Sequence, residues 1–265
     1  MAQSPADWAV ALFNRSVLKQ EKFRKIVELL DDPAGKSSLD IGADNGVISY
    51  LLRQRGGRWC SADLDAAAVR SIRDLVREDV YQLTGSVTPF AKDSFDQVVV
   101  VDYLEHIPDD RGFVLELARI LKPGGTLIVN VPHVRLGSWL VRLRHAIGLT
   151  DEWHGHLRPG YTLNGLRELL EPNFSIEQAQ TYSKTFSELL DTVLNGAYLK
   201  MQKQAGPATQ KGTVVTQQDV RNRQKQFALL SALYPLLWAI AKLDLLLWFR
   251  PGYKLMVKAT RRGDD

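Results

Sequence analysis

Short apolar runs alternate with helix-length segments through the first half of the chain, between residues 37 and 133. The runs SSLDI, RWCSADL, DQVVVVDYL and TLIVNVPH have strand length, and GVISYLLRQR, DAAAVRSIRDLVRE and RGFVLELARILK separate them. Strands that alternate with helices of about this length are typical of a parallel sheet covered by helices on both faces. The sequence therefore predicts an α/β fold with a doubly wound sheet.

The turn after the first predicted strand, LDIGADNG at residues 39–46, indicates the kind of ligand. A dinucleotide-binding turn has the pattern G-x-G-x-x-G, because its pyrophosphate lies against backbone N–H groups at a helix N-terminus. Here Asp44 and Asn45 stand between Gly42 and Gly46, and both residue types tolerate a left-handed backbone. Two acids, Asp40 and Asp44, would repel a pyrophosphate and attract a cation. The loop therefore favours S-adenosylmethionine, which carries a sulfonium and an ammonium group and no phosphate.

A second acid, Asp63, follows the second predicted strand, 21 positions after Gly42. At that place a carboxylate can accept hydrogen bonds from both hydroxyls of a ribose, and Leu64 beside it can lie against an adenine. Asp63 alone is equally a helix N-cap, and enzymes that use NAD share the same acid. The glycine loop and Asp63, at this spacing, together predict a nucleoside cofactor.

Taken together, these motifs resemble the class I S-adenosylmethionine-dependent methyltransferases, especially their small-molecule branch of methyltransferase types 11 and 12. LDIGADNG resembles the cofactor loop, SADLD the ribose motif, TPFAKDSFDQVVVVDYLEHI the region of the fourth strand, and ILKPGGTLIVNVP the entry to the fifth. The resemblance covers residues 39–132 and resumes at HGHLRPGYT and in GYKLMVKATRR. It implies a Rossmann-like sheet of seven strands whose last strand is antiparallel, with a helical insertion before that strand.

The resemblance also implies which residues bind the cofactor. It puts the first loop around the methionine part and Asp63 on the ribose. Relatives often carry an acid near the adenine just before an LPF element, but LTGSVTPF has none, so Thr84 or the backbone around Gly85 takes that place. The predicted cofactor-binding residues are Asp40, Gly42, Ala43, Gly46, Asp63, Leu64, Thr84 and Val101.

The segment VDYLEHIPDD, after the fourth predicted strand, supplies the candidate catalytic groups. On a helical turn Asp102, Glu105 and His106 share one face at the mouth of the sheet, where open α/β folds bind ligands. An oxygen acceptor needs a base, and a histidine can serve near neutral pH. DEWHGHLRPGY adds groups that could contact the acceptor: His154, His156, Arg158 and Tyr161. The predicted catalytic residues are His106, Glu105 and His156.

Two alternatives remain for this segment. The spacing D-x-x-E-H resembles the E-x-x-E-H set that holds a divalent ion in some ubiquinone-pathway O-methyltransferases and small-RNA 2′-O-methyltransferases. Asp102 is one methylene shorter than glutamate, so no metal ligand is predicted and a divalent metal stays the alternative. In the second alternative, Glu105 and His106 only cap and pack the turn.

Residues 227–249, FALLSALYPLLWAIAKLDLLLWF, are long and apolar enough to span a bilayer. A span is disfavoured because the segment contains Pro235, Lys242 and Asp244 and precedes a strand that the sheet needs. It is therefore either a buried pair of helices, broken near Pro235 and covering the site, or a helix in the membrane interface. In the second case Trp238 and Trp248 would lie near the headgroups, and Arg221, Arg223 and Lys225 would face anionic lipid, joined by the basic helix around Trp139.

The chain is expected to form one class I methyltransferase domain over residues 1–265. Its predicted parts are an N-terminal helical segment (1–36), the cofactor-binding core (37–135), acceptor-side helices with the insertion (136–252) and the last strand (253–262). The polar stretch 200–226 is predicted to be a loop. A single cysteine, Cys60, excludes an internal disulfide and suits the cytoplasm, and the net charge of +4 identifies no partner.

The predicted function is methyl transfer from S-adenosylmethionine to a small-molecule acceptor, with an oxygen atom and a lipid-linked or apolar molecule favoured. The predicted location is cytoplasmic, with the inner face of the membrane as the peripheral alternative. A nucleic-acid methyltransferase is disfavoured because basic residues are scattered and VVDY stands where an N-P-P-Y-type motif would be. A non-catalytic regulator that binds the cofactor is a second rival hypothesis, and a nicotinamide oxidoreductase, which the loop disfavours, is a third.

Overall fold

The computed structural model describes residues 6–205, 215, 217–222 and 224–263. Seven of the described segments pair into one sheet, in the order β3-β2-β1-β4-β5-β7-β6. β1 to β5 run parallel, and β7 is antiparallel to its neighbours β5 and β6. The predicted seven-stranded, Rossmann-like fold is confirmed. The strands are β1 Ser37–Ile41, β2 Arg58–Asp63, β3 Val80–Gln82, β4 Phe95–Val101, β5 Leu121–Pro132, β6 Phe174–Tyr182 and β7 Lys254–Arg261.

Helices cover the sheet and its carboxyl edge. They are α1 Asp7–Phe13, α2 Val17–Leu29, α3 Val47–Arg53, α4 Ala66–Val76, α5 Asp110–Ile120, α6 Trp139–Ala146, α7 Asp151–His154, α8 Leu163–Leu170, α9 Thr185–Ala205, α10 Gln217–Asn222 and α11 Gln224–Lys242. Two 3₁₀ segments, Leu104–His106 and Leu243–Leu247, follow β4 and α11.

The central strand β4 shows why the sequence reads as a continuous apolar run. Val98 and Val100 pack in one core cluster with Phe113 of α5, whereas Val99 packs in the other with Leu52 of α3. The three valines are fully buried. A parallel strand with helices on both faces has no solvent face, so its residues do not alternate between apolar and polar types.

The structure corrects two predictions in the second half of the chain. The predicted loop at 200–226 is helical at both ends, since α9 continues to Ala205 and α10 begins at Gln217; residues 206–214, 216 and 223 lie outside the described residues. The Gln and Lys residues that suggested a loop are good helix formers. The predicted break near Pro235 is also wrong, because α11 runs through this residue without interruption.

Three helices and a 3₁₀ segment, α6, α9, α11 and Leu243–Leu247, form what we call the helical cap. Arg144 of α6 forms ion pairs with Glu188 and with Asp191 of α9, the latter at 2.9 Å. The Asp244 carboxylate, in the 3₁₀ segment, accepts hydrogen bonds from three backbone N–H groups at the start of α9. Tyr234 of α11 and Gln20 of α2 are hydrogen-bonded at 3.1 Å. The cap is thereby joined to α2.

Candidate cofactor and acceptor site

The turn after β1 brings the chain unusually close to its neighbours. A Cβ atom on Gly42 would lie 2.1 Å from the carbonyl oxygen of Val101, and one on Gly46 would lie 2.7 Å from the Cα of Ile72. Both glycines have positive φ, and Asp44 between them has φ 55°. The left-handed geometry predicted for this Asp is therefore present. Any side chain at Gly42 or Gly46 would force β4 or α4 away from the turn.

Hydrogen bonds of Asp40, next to the turn, connect β1 to the neighbouring elements. Its buried carboxylate accepts hydrogen bonds from Ser49 Oγ at 2.5 Å and Ser61 Oγ at 2.7 Å, and Arg53 lies 3.6 Å away. Burial raises the pKa of Asp40 despite these partners. The side chain thus joins β1 to α3 and β2. Its predicted contact with the cofactor stays a prediction.

Asp44 differs, because its carboxylate is exposed at the protein surface. It accepts a hydrogen bond from Lys19 Nζ of α2 at 2.9 Å. The negative charge inferred from the sequence is present at the turn, and a lysine that the sequence did not single out is paired with it. A bound cation and Lys19 would therefore share this carboxylate.

Asp63 ends β2 at the same edge of the sheet. One oxygen of this buried carboxylate accepts a hydrogen bond from the backbone N–H of Asp65 at 3.1 Å. Burial raises the pKa of Asp63 to about 6. Hydroxyl groups that donate to the carboxylate would favour its ionised form and lower this pKa again.

The other predicted cofactor residues lie at the carboxyl ends of neighbouring strands. Ala43 and Val101 are buried beside the turn, Leu64 follows Asp63, and Thr84 is exposed in a short turn after β3, where it pairs with Val87. The structure thus brings the predicted set to one edge, across β3, β2, β1 and β4. Their individual contacts with the cofactor stay predictions.

Tyr103 is a candidate that the sequence analysis missed. Its Cβ lies 3.4 Å from the position of a Cβ on Gly42, and its buried hydroxyl has no hydrogen-bond partner among the residues that the structure describes. Burial, together with the charge of Asp63, raises its pKa. A buried hydroxyl is costly to leave unpaired, so we expect a ligand or water to accept from it.

Asp102 does not lie on one helical turn with Glu105 and His106, because the 3₁₀ turn begins only at Leu104. It has φ 44° and precedes the 3₁₀ turn, and its carboxylate accepts hydrogen bonds from Lys22 Nζ and, at 2.8 Å, from Asn130 Nδ2. Although burial acts in the opposite direction, Lys22 and Lys254 hold its pKa well below the ordinary value. Asp102 is thus an ionised anchor for α2 and β5.

Glu105 is fully buried in the 3₁₀ turn, and neither carboxylate oxygen has a hydrogen-bond partner among the described residues. Burial, reinforced by the charge of Asp102, raises its pKa to about 8. At neutral pH Glu105 is therefore mostly protonated. In that form the carboxyl group can donate one hydrogen bond and does not act as a base.

Two histidines stand beside this acid. His106 Nδ1 lies 2.9 Å from the carbonyl oxygen of Gly155. Since a carbonyl only accepts, Nδ1 carries the proton in the neutral ring and Nε2 has a free lone pair. The ring of His156 lies 4.9 Å from that of His106, and burial lowers the pKa of His156 to about 3. The pair therefore offers a basic nitrogen beside a neutral imidazole.

The other groups predicted to contact the acceptor are occupied elsewhere. Arg158 donates to the backbone carbonyls of Ile107 and Pro108 at 3.0 and 2.9 Å, and with Tyr161 it binds Asp110. These contacts hold the 3₁₀ turn in place. His154 Nδ1 lies 2.8 Å from the carbonyl oxygen of Thr150, and its Nε2 lies 3.3 Å from Arg144. Both sets of contacts stabilise the segments that surround the site.

A metal ion would find three ligands here. Among the described residues, one ligand atom each of Glu105, His106 and His156 lie within 4.8 Å of one another. One carboxylate and two imidazoles suit a transition metal, and the bond between His106 and the Gly155 carbonyl would orient the ring. The set differs from the spacing seen in the sequence, because His156 takes the place of Asp102.

The strand order, with one antiparallel strand between β5 and β6, and the glycine turn and ribose-type acid at the carboxyl edge define a class I methyltransferase fold. Residues 39–129 match the sequence model of a family described as a methyltransferase domain. Residues 39–129 thus form part of a methyltransferase domain, and this match agrees with the predicted family, enzyme class and cofactor.

Curated relatives share part of this domain. A ubiquinone biosynthesis O-methyltransferase of Idiomarina loihiensis is 31% identical over 134 residues, which cover 47% of this chain and 55% of that protein. A demethylmenaquinone methyltransferase of Tropheryma whipplei is 29% identical over 109 residues, or 40% of this chain and 46% of that protein. The chain spans about half the length of the curated relatives it matches.

Solved structures extend the likeness of fold to nearly the whole chain. An S-adenosylmethionine-dependent methyltransferase of Mesorhizobium loti has a TM-score of 0.56 at 15% identity and covers 91% of this chain and 97% of its own. The cyclase SpnF has a TM-score of 0.61 at 17% identity and covers 92% and 81%. The second name shows that the fold alone does not determine the reaction, so the reaction must be argued from the site.

Proposed function

We propose that the protein transfers the methyl group of S-adenosylmethionine to a hydroxyl oxygen of a small, apolar acceptor. The observation that carries the proposal is the 2.9 Å contact of His106 Nδ1 with the Gly155 carbonyl oxygen, which puts the proton of the neutral ring on Nδ1 and leaves the Nε2 lone pair beside neutral His156 and protonated Glu105, at the edge where the cofactor turn lies. Relatives named O-methyltransferases, at about 30% identity, support oxygen as the acceptor atom. The cytoplasmic location predicted from the sequence is proposed together with this function.

In this proposal His106 is the general base. Methyl transfer is an in-line displacement, so much of the rate comes from holding the two reactants in position. S-Adenosylmethionine supplies the methyl group, and the acceptor hydroxyl gives its proton to Nε2 as the oxygen–carbon bond forms and the carbon–sulfur bond breaks. Glu105 would donate a hydrogen bond to the acceptor, and His156 would contact it without adding charge.

A second candidate is metal-assisted transfer at the same three residues. The short distances between their ligand atoms and the two unpartnered oxygens of Glu105 favour it. A bound metal would lower the pKa of the acceptor hydroxyl and would need Glu105 to ionise. Prolonged treatment with a chelator separates the candidates, since activity that survives it with no metal in the protein contradicts metal assistance.

A labelling experiment identifies the acceptor directly. The protein is incubated with labelled S-adenosylmethionine and a host lipid and metabolite extract, and the labelled product is identified by mass spectrometry. His106→Ala should lower turnover by about 100-fold or more and leave cofactor affinity unchanged. The control is His145→Ala, which removes an exposed histidine of α6. Full turnover by His106→Ala would contradict the role of His106 as general base. The absence of a labelled product with the unaltered protein would contradict the proposed methyl transfer.

A further inference from the structure

The helical cap, together with Trp248 and Phe249 that follow it, exposes an unusual amount of apolar surface. Trp238, Leu245, Leu246, Trp248 and Phe249 have exposed fractions between 47% and 80%. Among the described residues one helical stretch, Gln224–Leu247, is long and apolar enough to cross a membrane, and an 18-residue window within it has a mean hydropathy of 1.6 and is only 6% buried. The alternative of a buried insertion therefore does not fit this exposed surface. Large exposed apolar patches on a folded protein usually mark an interaction surface.

The contacts of this stretch favour lying on a membrane over crossing it. Asp244 holds the backbone of α9, and Lys184 Nζ donates to the carbonyl oxygen of Leu247 at 2.7 Å. Seven residues after Leu247 the chain enters β7, between β5 and β6. A membrane-spanning helix would lose the hydrogen bonds of Asp244 and Lys184 and would separate β7 from its sheet. An amphipathic surface helix keeps both.

The charges around the apolar face select the partner. Residues 224–250 contain one acid, Asp244, which is buried and bonded to the backbone, and three bases, Lys225, Lys242 and Arg250. Residues 135–147, which include α6 with its exposed Trp139, contain no acid and three arginines, of which Arg144 is paired with Glu188 and Asp191 of α9. The Nζ of Lys242 lies 5.1 Å from the centre of the Trp238 ring. Tryptophans beside basic residues are typical of the headgroup region of an anionic bilayer.

We infer that the apolar face of the helical cap binds the surface of an anionic lipid bilayer. The apolar side chains would enter the boundary between headgroups and acyl chains, and the lysines and the arginines other than Arg144 would contact the lipid phosphates. A second copy of this chain would meet the same bases on its own cap, so charge opposes pairing of two such faces at low salt.

The same contacts link this face to the methyltransferase site. Tyr234 of α11 is hydrogen-bonded to Gln20 of α2, and neighbouring residues of α2 reach the cofactor turn through Lys19 and Asp44 and the acceptor side through Lys22. A cap on the membrane would therefore hold the site beside the interface, where an apolar acceptor presents its polar end. This step rests on the proposed function, whereas lipid binding does not.

The test is co-sedimentation of the full chain with vesicles of phosphatidylcholine, with and without phosphatidylglycerol. We expect binding to the anionic vesicles at low salt, weaker binding at high salt, and little binding to the neutral ones. The double variant Leu245→Glu, Trp248→Glu should weaken binding at least about tenfold. The control is Leu115→Glu, which places one such charge at an exposed leucine of α5 outside the cap and should bind as the unaltered protein does.

Cofactor affinity and melting temperature, measured on every variant, confirm that each is folded. No binding of the unaltered protein to anionic vesicles would overturn the inference. Equal binding by the double variant would also overturn it. A dimer that the unaltered protein forms and the double variant does not, with no vesicle binding by either protein, would overturn it as well. Vesicle binding without any methyl transfer would contradict the proposed function and leave the membrane surface standing.

Discussion

At the scale of single residues, Asp63 should make cofactor binding sensitive to pH. The ionised carboxylate is the form that accepts from both ribose hydroxyls, and burial raises the pKa of Asp63 to about 6. We expect affinity for S-adenosylmethionine to fall by roughly tenfold for each pH unit below this pKa. Asp63→Asn should weaken binding about tenfold at neutral pH and abolish the pH dependence.

Isothermal titration calorimetry across this range provides the measurement. Asp74→Asn is the matched control, because it makes the same change on the exposed face of α4. Equal affinity of Asp63→Asn and the unaltered protein would contradict the assignment of Asp63 to the ribose.

Glu105 should make the stability of the fold depend on pH in the opposite sense to a paired carboxylate. Burial raises its pKa from 4.5 to about 8, so between these values the unfolded chain has lost a proton that the folded chain keeps. The free energy of unfolding therefore falls as pH rises through this window. Glu105→Gln has no titrating group at this position, so its free energy of unfolding should not fall in this way. It should be more stable than the unaltered protein by roughly 2 to 4 kcal/mol near the upper end of the pH window.

Urea unfolding at the two ends of the window measures this effect. The two proteins should differ little below pH 4.5, where Glu105 is protonated in both states. Glu168→Gln, at an exposed position of α8, should show no such trend. A constant difference across the window would show that Glu105 is ionised in the folded protein.

Single residues also show where sequence reasoning succeeds and where it ends. The left-handed Asp44 and the tight glycines follow from local backbone chemistry, and the sequence predicts them. The bond between Lys22 and Asp102 joins residues 80 positions apart, and no local pattern predicts such a pair. Asn130 is intermediate, because a lone amide in the apolar run TLIVNVPH could have been recognised as a buried polar contact.

At the scale of elements, Asp244 is the residue that fastens α11 to α9. Its two oxygens accept from the backbone N–H groups of Lys184, Phe186 and Ser187 at 2.7 to 3.2 Å. These are the first amides of a helix, which have no partner within it. Asp244→Ala should lower the free energy of unfolding by about 1 to 3 kcal/mol, and Asp244→Asn by less, because one acceptor oxygen remains.

Hydrogen exchange gives a local measurement of the same effect. The amides of Phe186 and Ser187 should exchange faster in Asp244→Ala, and amides of the β4 core should be unaffected. Asp74→Asn again serves as the control. Unchanged exchange at α9 would mean that the helix keeps its position without this cap.

The elements themselves were predicted better than their surroundings. The apolar periodicity of residues 135–149 predicts α6 correctly, yet of its apolar face only Leu140 is fully buried, whereas Trp139, Leu143 and Ile147 are exposed. Periodicity identifies a helix with one apolar face but not what covers that face. The same limit applies to α11, where tertiary contacts on either side outweigh the cost of about 3 kcal/mol for a proline within a helix.

At the scale of the molecule, the parallel part of the sheet follows from the sequence because successive parallel strands are connected through a helix, whereas the order of the strands was not predicted. The short strand β3 was not predicted, since its three residues carry no periodic signal. β7 comes from the end of the described chain and lies between β5 and β6, so distant parts of the sequence share one sheet. Loss of any of these strands removes partners from its neighbours.

This architecture leads to the last prediction, which concerns unfolding of the whole molecule. The predicted cofactor residues lie at the ends of β1, β2 and β4, which are hydrogen-bonded in series to the rest of the sheet. S-Adenosylmethionine should therefore raise the temperature of one cooperative transition, by a stabilisation of about 2.7 kcal/mol at a concentration 100 times its Kd. NAD should leave the transition unchanged, because Asp44 stands where a pyrophosphate would approach the turn. Differential scanning calorimetry with each compound measures both effects. A shift with NAD and none with S-adenosylmethionine would contradict the assignment of the cofactor, and a shift confined to part of the transition would show that the sheet and the helical cap unfold separately.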